Sequence, residues 1–224
     1  MISAEIIQVR LSSKRLKNKV MKKINGKPIL YYVYNRVAMS KKIKKIIVAC
    51  SNNKSDDKIY SYCKSEGYLV VRGSLNNVVQ RFQKVIKKYN LDYFIRINGD
   101  SPCMDQYVID SVYRNFHKYK CDVATNVYPR SFPKGLSVEI IKSQIFKNLK
   151  NFKLNSYNKE HITSFFYQNS LKYKILNIKN QKNHSKKSLA LDTEIDFKKL
   201  KPIIKEKNFM KLRWKSILNR KYST

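Results

Sequence analysis

The chain has 224 residues, 42% of them hydrophobic, which is enough for one domain with a substantial core. Its 48 Lys and Arg against 15 Asp and Glu give a formal net charge of +33. This excess favours an anionic partner such as a nucleotide, a sugar acid or a nucleic acid, although a solvated lysine coat explains the total equally well. The local distribution is more informative, because residues 6–55 contain no acidic side chain.

The cysteines and the apolar runs indicate the compartment. Cys50, Cys63, Cys103 and Cys121 are widely spaced and form no Cys-X-X-Cys pair, which disfavours disulfides and a zinc site. No apolar run approaches the roughly 18 residues that a membrane span needs. We therefore expect a soluble cytoplasmic protein with reduced thiols and no membrane partner.

The first half of the chain alternates short apolar strands with amphipathic helices. Strands are predicted over residues 4–9, 46–50, 68–71, 93–97 and 122–125, and helices over residues 28–39, 56–65, 78–89 and 106–119. Such alternation indicates βαβ units, and hence an α/β fold with a mainly parallel sheet covered on both faces. Ligands of these folds bind beyond the carboxyl ends of the strands.

The pattern changes after residue 126. Two prolines and a glycine predict a loop or strand edge over residues 128–135. Further strands are predicted over residues 138–141, 172–180 and 189–191, with helices over residues 142–150 and 195–221, the last interrupted near Pro202. No internal repeat or long linker divides the chain.

Polar residues gather in the loops that follow the predicted strands. We expect four of these loops to converge: Arg10–Lys19, Ser51–Asn52, Arg72–Ser74 and Asn98–Asp100. The first loop joins a strand end to small and cationic residues and then to the helix start at Pro28, which is a typical arrangement for binding phosphates.

Seven short motifs follow one another in order, at residues 8–20, 26–30, 71–74, 96–102, 132–139, 160–163 and 191–197. Residues 8–20, for example, resemble the pattern A-R-x-G-S-x-R-L-P-G-K-V. Together they resemble the cytidylyltransferases that activate sugar acids as CMP conjugates, in particular the SpsF-like branch of spore coat polysaccharide biosynthesis. Related members act on acylneuraminic, pseudaminic and deoxy-octulosonic acids. The resemblance implies a three-layer, Rossmann-like nucleotidyltransferase fold of the GT-A type, with residues 1–224 as one domain.

The resemblance also implies Mg²⁺-dependent transfer of CMP from CTP to an anionic sugar or related acid, with release of pyrophosphate. This chemistry depends on neutralising charge around the α-phosphorus. The implied catalytic residues are Arg10, Arg15, Lys19 and Asp100. Asp100 and Asp192 would bind the metal, since one or two carboxylates plus substrate phosphates are typical of Mg²⁺. The wider nucleotide site would comprise Gln8, Val9, Arg10, Leu11, Ser12, Ser13, Arg15, Lys19, Arg72, Gly73, Ser74, Asn98, Gly99 and Asp100.

The acceptor side is expected in the region after residue 126. The family motifs there contain Asn126, Arg130, Glu139, Glu160 and His161. Residues 128–180 would form an excursion that binds the acceptor and contacts a second subunit of a homodimer. His161 is also a candidate general base, although a histidine on a helix is more often structural.

Three departures from the family pattern bear on this prediction. Ser12 replaces a glycine, Lys17-Asn18 replaces Pro-Gly, and Ser137 replaces an aspartate of the G-L-D-V-E motif. The changes leave CTP chemistry in place and leave the identity of the acceptor open.

Other functions remain open at this point. One is CTP-dependent activation of a phosphonate or phospho-sugar. Another is a glycosyltransferase of the same fold, which would usually show an Asp-Xaa-Asp motif that this sequence lacks. A nucleic-acid-binding protein has only the charge in its favour, because no RNA-binding, zinc-finger or helix-turn-helix signature is present.

Overall fold

A mixed sheet forms the centre of the protein in a computed structural model that describes residues 1–13, 15–42 and 45–223. Lys14, within the predicted phosphate-binding loop, therefore lies outside the described residues. The strands are β1 (Ser3–Gln8), β2 (Lys23–Ile24), β3 (Lys27–Pro28), β4 (Ile46–Ser51), β5 (Leu69–Gly73), β6 (Tyr93–Asn98), β7 (Val123–Thr125), β8 (Glu139–Lys142) and β9 (Ile175–Asn177). The helices are α1 (Ile29–Ala38), α2 (Asp57–Ser65), α3 (Val78–Tyr89), α4 (Gln106–Tyr119), α5 (Ser143–Lys147), α6 (Ser156–Glu160), α7 (Ser164–Gln168), α8 (Glu194–Lys205) and α9 (Trp214–Tyr222).

The described part of the sheet has seven strands in the order β5-β4-β1-β6-β8-β7-β9. Only β8 runs antiparallel to its neighbours, β6 and β7. Gln8 pairs with Ala49 on one side and Asn98 on the other, so the carboxyl ends of three strands lie level. The predicted α/β fold with a mainly parallel sheet is confirmed, and this edge is where a ligand is expected.

The alternation of side chains along β1 explains why helices cover both faces of the sheet. Ile6 and Ile7 are both fully buried but belong to two different cores, one on each face of the sheet. Side chains alternate between the faces of a strand, so each face needs its own cover of helices. Phe82 of α3 packs on the same side as Ile6, and Leu30 of α1 on the same side as Ile7. The result is helices, sheet and helices in three layers.

Two predictions about the C-terminal third are wrong. Residues 189–191 are not a strand, because their backbone bonds go to loops: Leu189 N–H donates to the carbonyl of Lys134 at 2.7 Å. The apolar run instead reflects burial of Leu189 and Leu191 in the core. Helix α8 also continues through Pro202, since packing of its buried face outweighs the lost hydrogen bond, and the break follows Lys205.

Smaller differences concern short elements. The hairpin of β2 and β3 and the short helices α6 and α7 were not predicted, and the strand predicted over residues 172–180 is reduced to β9. No described helix is both long and apolar enough to span a membrane.

Candidate active site

An ion triad of Lys19, Asp100 and Asp192 lies beyond the carboxyl end of β6. Lys19 Nζ is 2.5 Å from Asp100 Oδ2 and 2.9 Å from Asp192 Oδ1, and the lysine side chain is only 13% exposed. Burial alone would lower the pKa of Lys19, but the two carboxylates outweigh it and raise that pKa above its ordinary value. Two carboxylates therefore converge on one ammonium group.

Gly99 allows Asp100 to reach this position. Its N–H donates to the carbonyl of Gln8 at 2.9 Å, which holds the end of β6 against β1. A Cβ atom at Gly99 would lie 2.2 Å from Cγ1 of Val9, far inside van der Waals contact. Only glycine permits this approach of the two strands.

Asp192 is brought in by a second glycine. Gly135 has φ +90°, and a Cβ atom there would lie 2.4 Å from the amide nitrogen of Ala190. The close contact holds residues 189–191 beside the loop that follows β6, where Leu191 N–H donates to the carbonyl of Asp100 at 2.8 Å. The two carboxylates are thus adjacent although they are far apart in sequence.

The start of α8 orients Asp192. Thr193 and Asp196 form a capping box, and the carboxylate of Asp196 accepts the N–H of Asp192 at 3.3 Å. Asp196 also pairs with the buried ammonium of Lys221 at 2.7 Å. Burial would raise the pKa of Asp196, but Lys221 and Thr193 outweigh it and hold that pKa low. Asp196 is therefore a supporting residue.

The other predicted phosphate cations are also paired with acids. Arg10 Nη2 lies 2.5 Å from Oε1 of Glu160, and Arg15 Nη2 lies 3.2 Å from Oδ1 of Asp192. The structure therefore brings the cations of the phosphate loop together with the acids predicted for the metal and acceptor sites. In this state each positive charge is compensated.

Asp56 fixes the path of this loop and was missed in the sequence analysis. It is fully buried, and its two carboxylate oxygens accept the N–H groups of Leu11 and Ser51, each at 2.8 Å. Asp56 is the acid that ends the long acid-free stretch, which was the available signal. Asn18, at the position of the family glycine, adopts a left-handed φ of 54°, so the turn is retained.

A buried arginine of α3 lies beside the loop that follows β5. Arg81 is fully buried and donates to the carbonyl of Ser74 at 3.3 Å, but its Nε and Nη2 atoms have no partner among the described residues. Burial lowers the pKa of Arg81 to about 10 against the opposing charge of Asp56. A cavity of about 440 Å³, lined in part by Asn52 and Ser74, opens at this side of the sheet.

The Arg72 side chain has a different role from Arg81. Its guanidinium donates to the carbonyls of Ser51 and Asn53, each at 2.9 Å, and pairs with Asp57 at 2.7 Å. These bonds hold the loop after β4 in place.

On the acceptor side, Glu139 is the centre of a buried network. It is 2% exposed, 2.5 Å from Nη1 of Arg96, and accepts the hydroxyl of Tyr167 at 2.6 Å. Burial would raise the pKa of Glu139, but Arg96 and the hydroxyl donors outweigh it and lower that pKa. Arg96 Nε also donates to Oε1 of Gln8 at 3.0 Å, which connects the predicted nucleotide and acceptor sides.

The remaining acceptor candidates differ in whether their polar atoms are already bonded within the protein. The amide of Asn126 is buried and bonded to the backbone of Leu136 and Val138. Arg130 donates from Nη2 to Ser137 Oγ at 3.0 Å, while its buried Nη1 has no partner in the described structure. His161 is exposed at the end of α6, where its ring packs against Tyr157.

Comparison with known proteins decides the family. A family model described as cytidylyltransferase matches residues 4–217. The chain belongs to the cytidylyltransferase family. This enzyme is 35% identical to an uncharacterised protein of Methanocaldococcus jannaschii over 196 residues, 86% of this chain and 79% of that one. It is 26% identical to the spore coat polysaccharide biosynthesis protein SpsF of Bacillus subtilis, over 88% of this chain and 84% of that one.

A solved structure agrees with this assignment. The cytidylyltransferase of Leptospira borgpetersenii superposes with a TM-score of 0.91 at 28% identity, covering 97% of this chain and 92% of that one. The predicted nucleotidyltransferase class and the SpsF-like resemblance are confirmed. The roles of individual site residues stay predictions.

Proposed function

We propose that this cytidylyltransferase transfers CMP from CTP to an anionic sugar acid and releases pyrophosphate, for the synthesis of a surface polysaccharide or glycan. The observation that carries the proposal is the convergence of Lys19, Asp100 and Asp192 beside the cationic loop, at the ligand-binding edge of the sheet. An acceptor hydroxyl oxygen forms a bond to the α-phosphorus as the bond to the leaving pyrophosphate oxygen breaks. The hydroxyl proton passes to solvent.

Arg10, Arg15 and Lys19 would bind the triphosphate. All three are already at one edge of the sheet, and each would exchange a protein carboxylate for phosphate oxygens. Charge-assisted bonds from arginine can be bidentate, which orients a phosphate as well as neutralising it. These residues thereby position CTP and stabilise the charge of the departing pyrophosphate.

Asp100 and Asp192 fit a magnesium ion. Their oxygens converge on the Lys19 ammonium, which marks a position favourable for a cation. The described residues contain no group of three or more His, Cys, Asp or Glu side chains that could hold a metal, so substrate phosphates and water would complete the coordination. When bound, the ion would supply charge neutralisation at the phosphates.

The cytosine base is proposed to lie in the open cavity beside Ser74. Asn52, Ser74 and Gln80 line this cavity, and their side chains can donate to the carbonyl and the ring nitrogen of the base edge. Arg81 is fully buried behind this loop and donates to the carbonyl of Ser74, so it supports the loop rather than touching the base.

The acceptor is proposed to bring its negative charge to Arg130. Ser137 provides a neutral hydroxyl where the family pattern has an aspartate, so no carboxylate at this position neutralises the guanidinium. The Nη1 atom of Arg130 has no partner among the described residues. A sugar carboxylate suits this planar donor. The excursion over residues 128–180 is also the proposed contact surface of a homodimer.

A pyrophosphate-release screen tests the function, with CTP, ATP, GTP and UTP against a panel of sugar acids, phosphonates and phospho-sugars. We expect release only with CTP, Mg²⁺ and a sugar acid. Asp100→Asn should reduce the rate at least about a hundredfold, because it removes a charge that acts at the reacting phosphates. The control Asp122→Asn, which breaks a distant pair with Lys142, should retain most activity. No release with CTP, or salt-sensitive RNA binding without release, would contradict the proposal.

A further inference from the structure

The ammonium of Lys19 occupies the place between the two carboxylates where a metal ion would be expected. Nζ lies 2.5 Å from Asp100 and 2.9 Å from Asp192, within bonding distance of both. A divalent ion bound at the usual distance of roughly 2.1 Å would use the same oxygen lone pairs and would repel the ammonium. The lysine and the metal therefore compete for one position.

Arg15 adds to this competition. It reaches the same Oδ1 atom of Asp192 at 3.2 Å while remaining 68% exposed. Two carboxylates then face two cations, so the resting site has little net attraction for a free divalent ion. Both cations are long and flexible side chains, which can leave without a rearrangement of the sheet.

We propose that Lys19 is an internal substitute for the metal, which excludes free Mg²⁺ until the phosphates of the nucleotide draw the lysine away. The inference rests on the proposed function, because it takes Asp100 and Asp192 as the metal ligands. Nucleotide and metal then bind as a unit. Their coupling is reciprocal, so each raises the affinity of the other.

Binding of Mn²⁺ in the absence of nucleotide, measured by electron paramagnetic resonance, tests the proposal. Lys19→Met should bind Mn²⁺ at least about tenfold more tightly than wild type, although it loses catalytic activity. Lys22→Met is a matched control: it removes one charge three residues later, from a pair with Glu194, and should stay within about twofold of wild type. The double variant Lys19→Met/Asp192→Asn should lose this gain in Mn²⁺ affinity, because it lacks one of the two carboxylates.

Two further variants keep the test decisive. Lys19→Gln can still hydrogen-bond both carboxylates and should also gain affinity, even where the methionine variant folds poorly. Lys19→Arg keeps the charge and should bind Mn²⁺ as weakly as wild type. If neither Lys19→Met nor Lys19→Gln binds Mn²⁺ more tightly than Lys22→Met does, the inference is overturned. A different result would separate the two proposals. If Lys19→Met gains affinity for Mn²⁺ but the wild type releases no pyrophosphate with CTP, the proposed function is contradicted and the metal substitution stands.

Discussion

Arg10 Nη2 lies 2.5 Å from Oε1 of Glu160, and this ion pair joins the loop after β1 to the end of α6. The contact connects the proposed nucleotide side with the acceptor side across 150 residues of sequence. In the proposed function, CTP takes Arg10 from this carboxylate before the arginine binds a phosphate. The pair thus sets a cost for nucleotide binding that a substitution can remove.

Glu160→Gln should therefore bind CTP more tightly in the absence of acceptor. Both side chains are about 40% exposed, so solvent screens the pair and the gain should be about two- to fivefold. Isothermal titration with CTP and Mg²⁺ measures it. Glu66→Gln, which removes a carboxylate paired with Lys27, provides the control and should leave CTP affinity unchanged. Weaker CTP binding in Glu160→Gln would show that Glu160 helps to hold the nucleotide.

Glu139→Gln should destabilise the protein by about 3 kcal/mol at pH 7. The substitution leaves the guanidinium of Arg96 buried without its counter-charge. Removing one partner of a buried ion pair is strongly destabilising because the remaining charge is uncompensated. Tyr167→Phe removes only a hydroxyl donor from the same carboxylate and should cost about 1–2 kcal/mol. Urea unfolding of the three proteins gives both differences.

The sign of the pH dependence provides a check on Glu139. The pKa of Glu139 is lowered in the folded state, so its contribution is present above the pKa of the unfolded chain and is lost as the pH falls through the folded value. The wild type should therefore lose more stability than Glu139→Gln between pH 6 and pH 3. Parallel curves would show that folding does not lower the pKa of Glu139.

Glu5 should make the stability of the protein depend on pH with the opposite sign to Glu139. Its carboxyl is fully buried in β1, and neither oxygen has a hydrogen-bond partner in the described structure. Burial, with a smaller effect of Asp110, raises the pKa of Glu5 well above its ordinary value of 4.5. Its contribution to stability is thus full below that ordinary value and declines as the pH rises towards the folded pKa.

Glu5→Gln should remove this decline. Thermal unfolding between pH 5 and pH 8 should show a wild type that loses up to about 1.4 kcal/mol per pH unit relative to the variant. Glu194→Gln, at a half-exposed carboxylate, should follow the wild-type curve. A Glu5→Gln curve that falls as steeply as the wild type would mean that Glu5 is ionised.

Gly99→Ala should disturb both stability and catalysis. The added Cβ would lie 2.2 Å from Cγ1 of Val9, so the end of β6 must move and carry Asp100 with it. We expect a loss of about 1–3 kcal/mol and a fall in kcat of at least about tenfold. In a Val9→Ala background the contact is relieved, and part of both losses should return. An equal loss in both backgrounds would show that overlap with Val9 is not the cause.

The parallel strands and the loops at their ends could be predicted from the sequence because local patterns carry this information. β1 contains the apolar pair Ile6-Ile7 and β4 a longer apolar run, and Arg10 and Asn52, which follow these strands, lie in the candidate site. Asp56 and Arg96 could not be assigned in the same way. A buried charge in a strand or turn has no periodic signature, and its partner is a backbone amide or a distant acid that only the fold brings near.

The strand wrongly predicted over residues 189–191 has a related cause. Burial of Leu189 and Leu191 produces the same apolar alternation whether a segment pairs in a sheet or lies against it as a loop. Gly135 contributes to the outcome, because its left-handed conformation and missing side chain leave room for the backbone of Leu189 and Ala190 to lie against it. That contact is non-local, so a sequence pattern does not report it.

The hydrogen bond from Leu191 N–H to the carbonyl of Asp100 also bears on the order in which the site is completed during synthesis. Asp192 follows immediately, so a nascent chain that has emerged only as far as residue 190 contains Lys19 and Asp100 but lacks the second carboxylate. Most of the sheet can form by then, because the last strand, β9, ends at Asn177. The ion triad is thus completed only after every described strand of the sheet has been synthesised, and a chain that stops before Asp192 cannot assemble it.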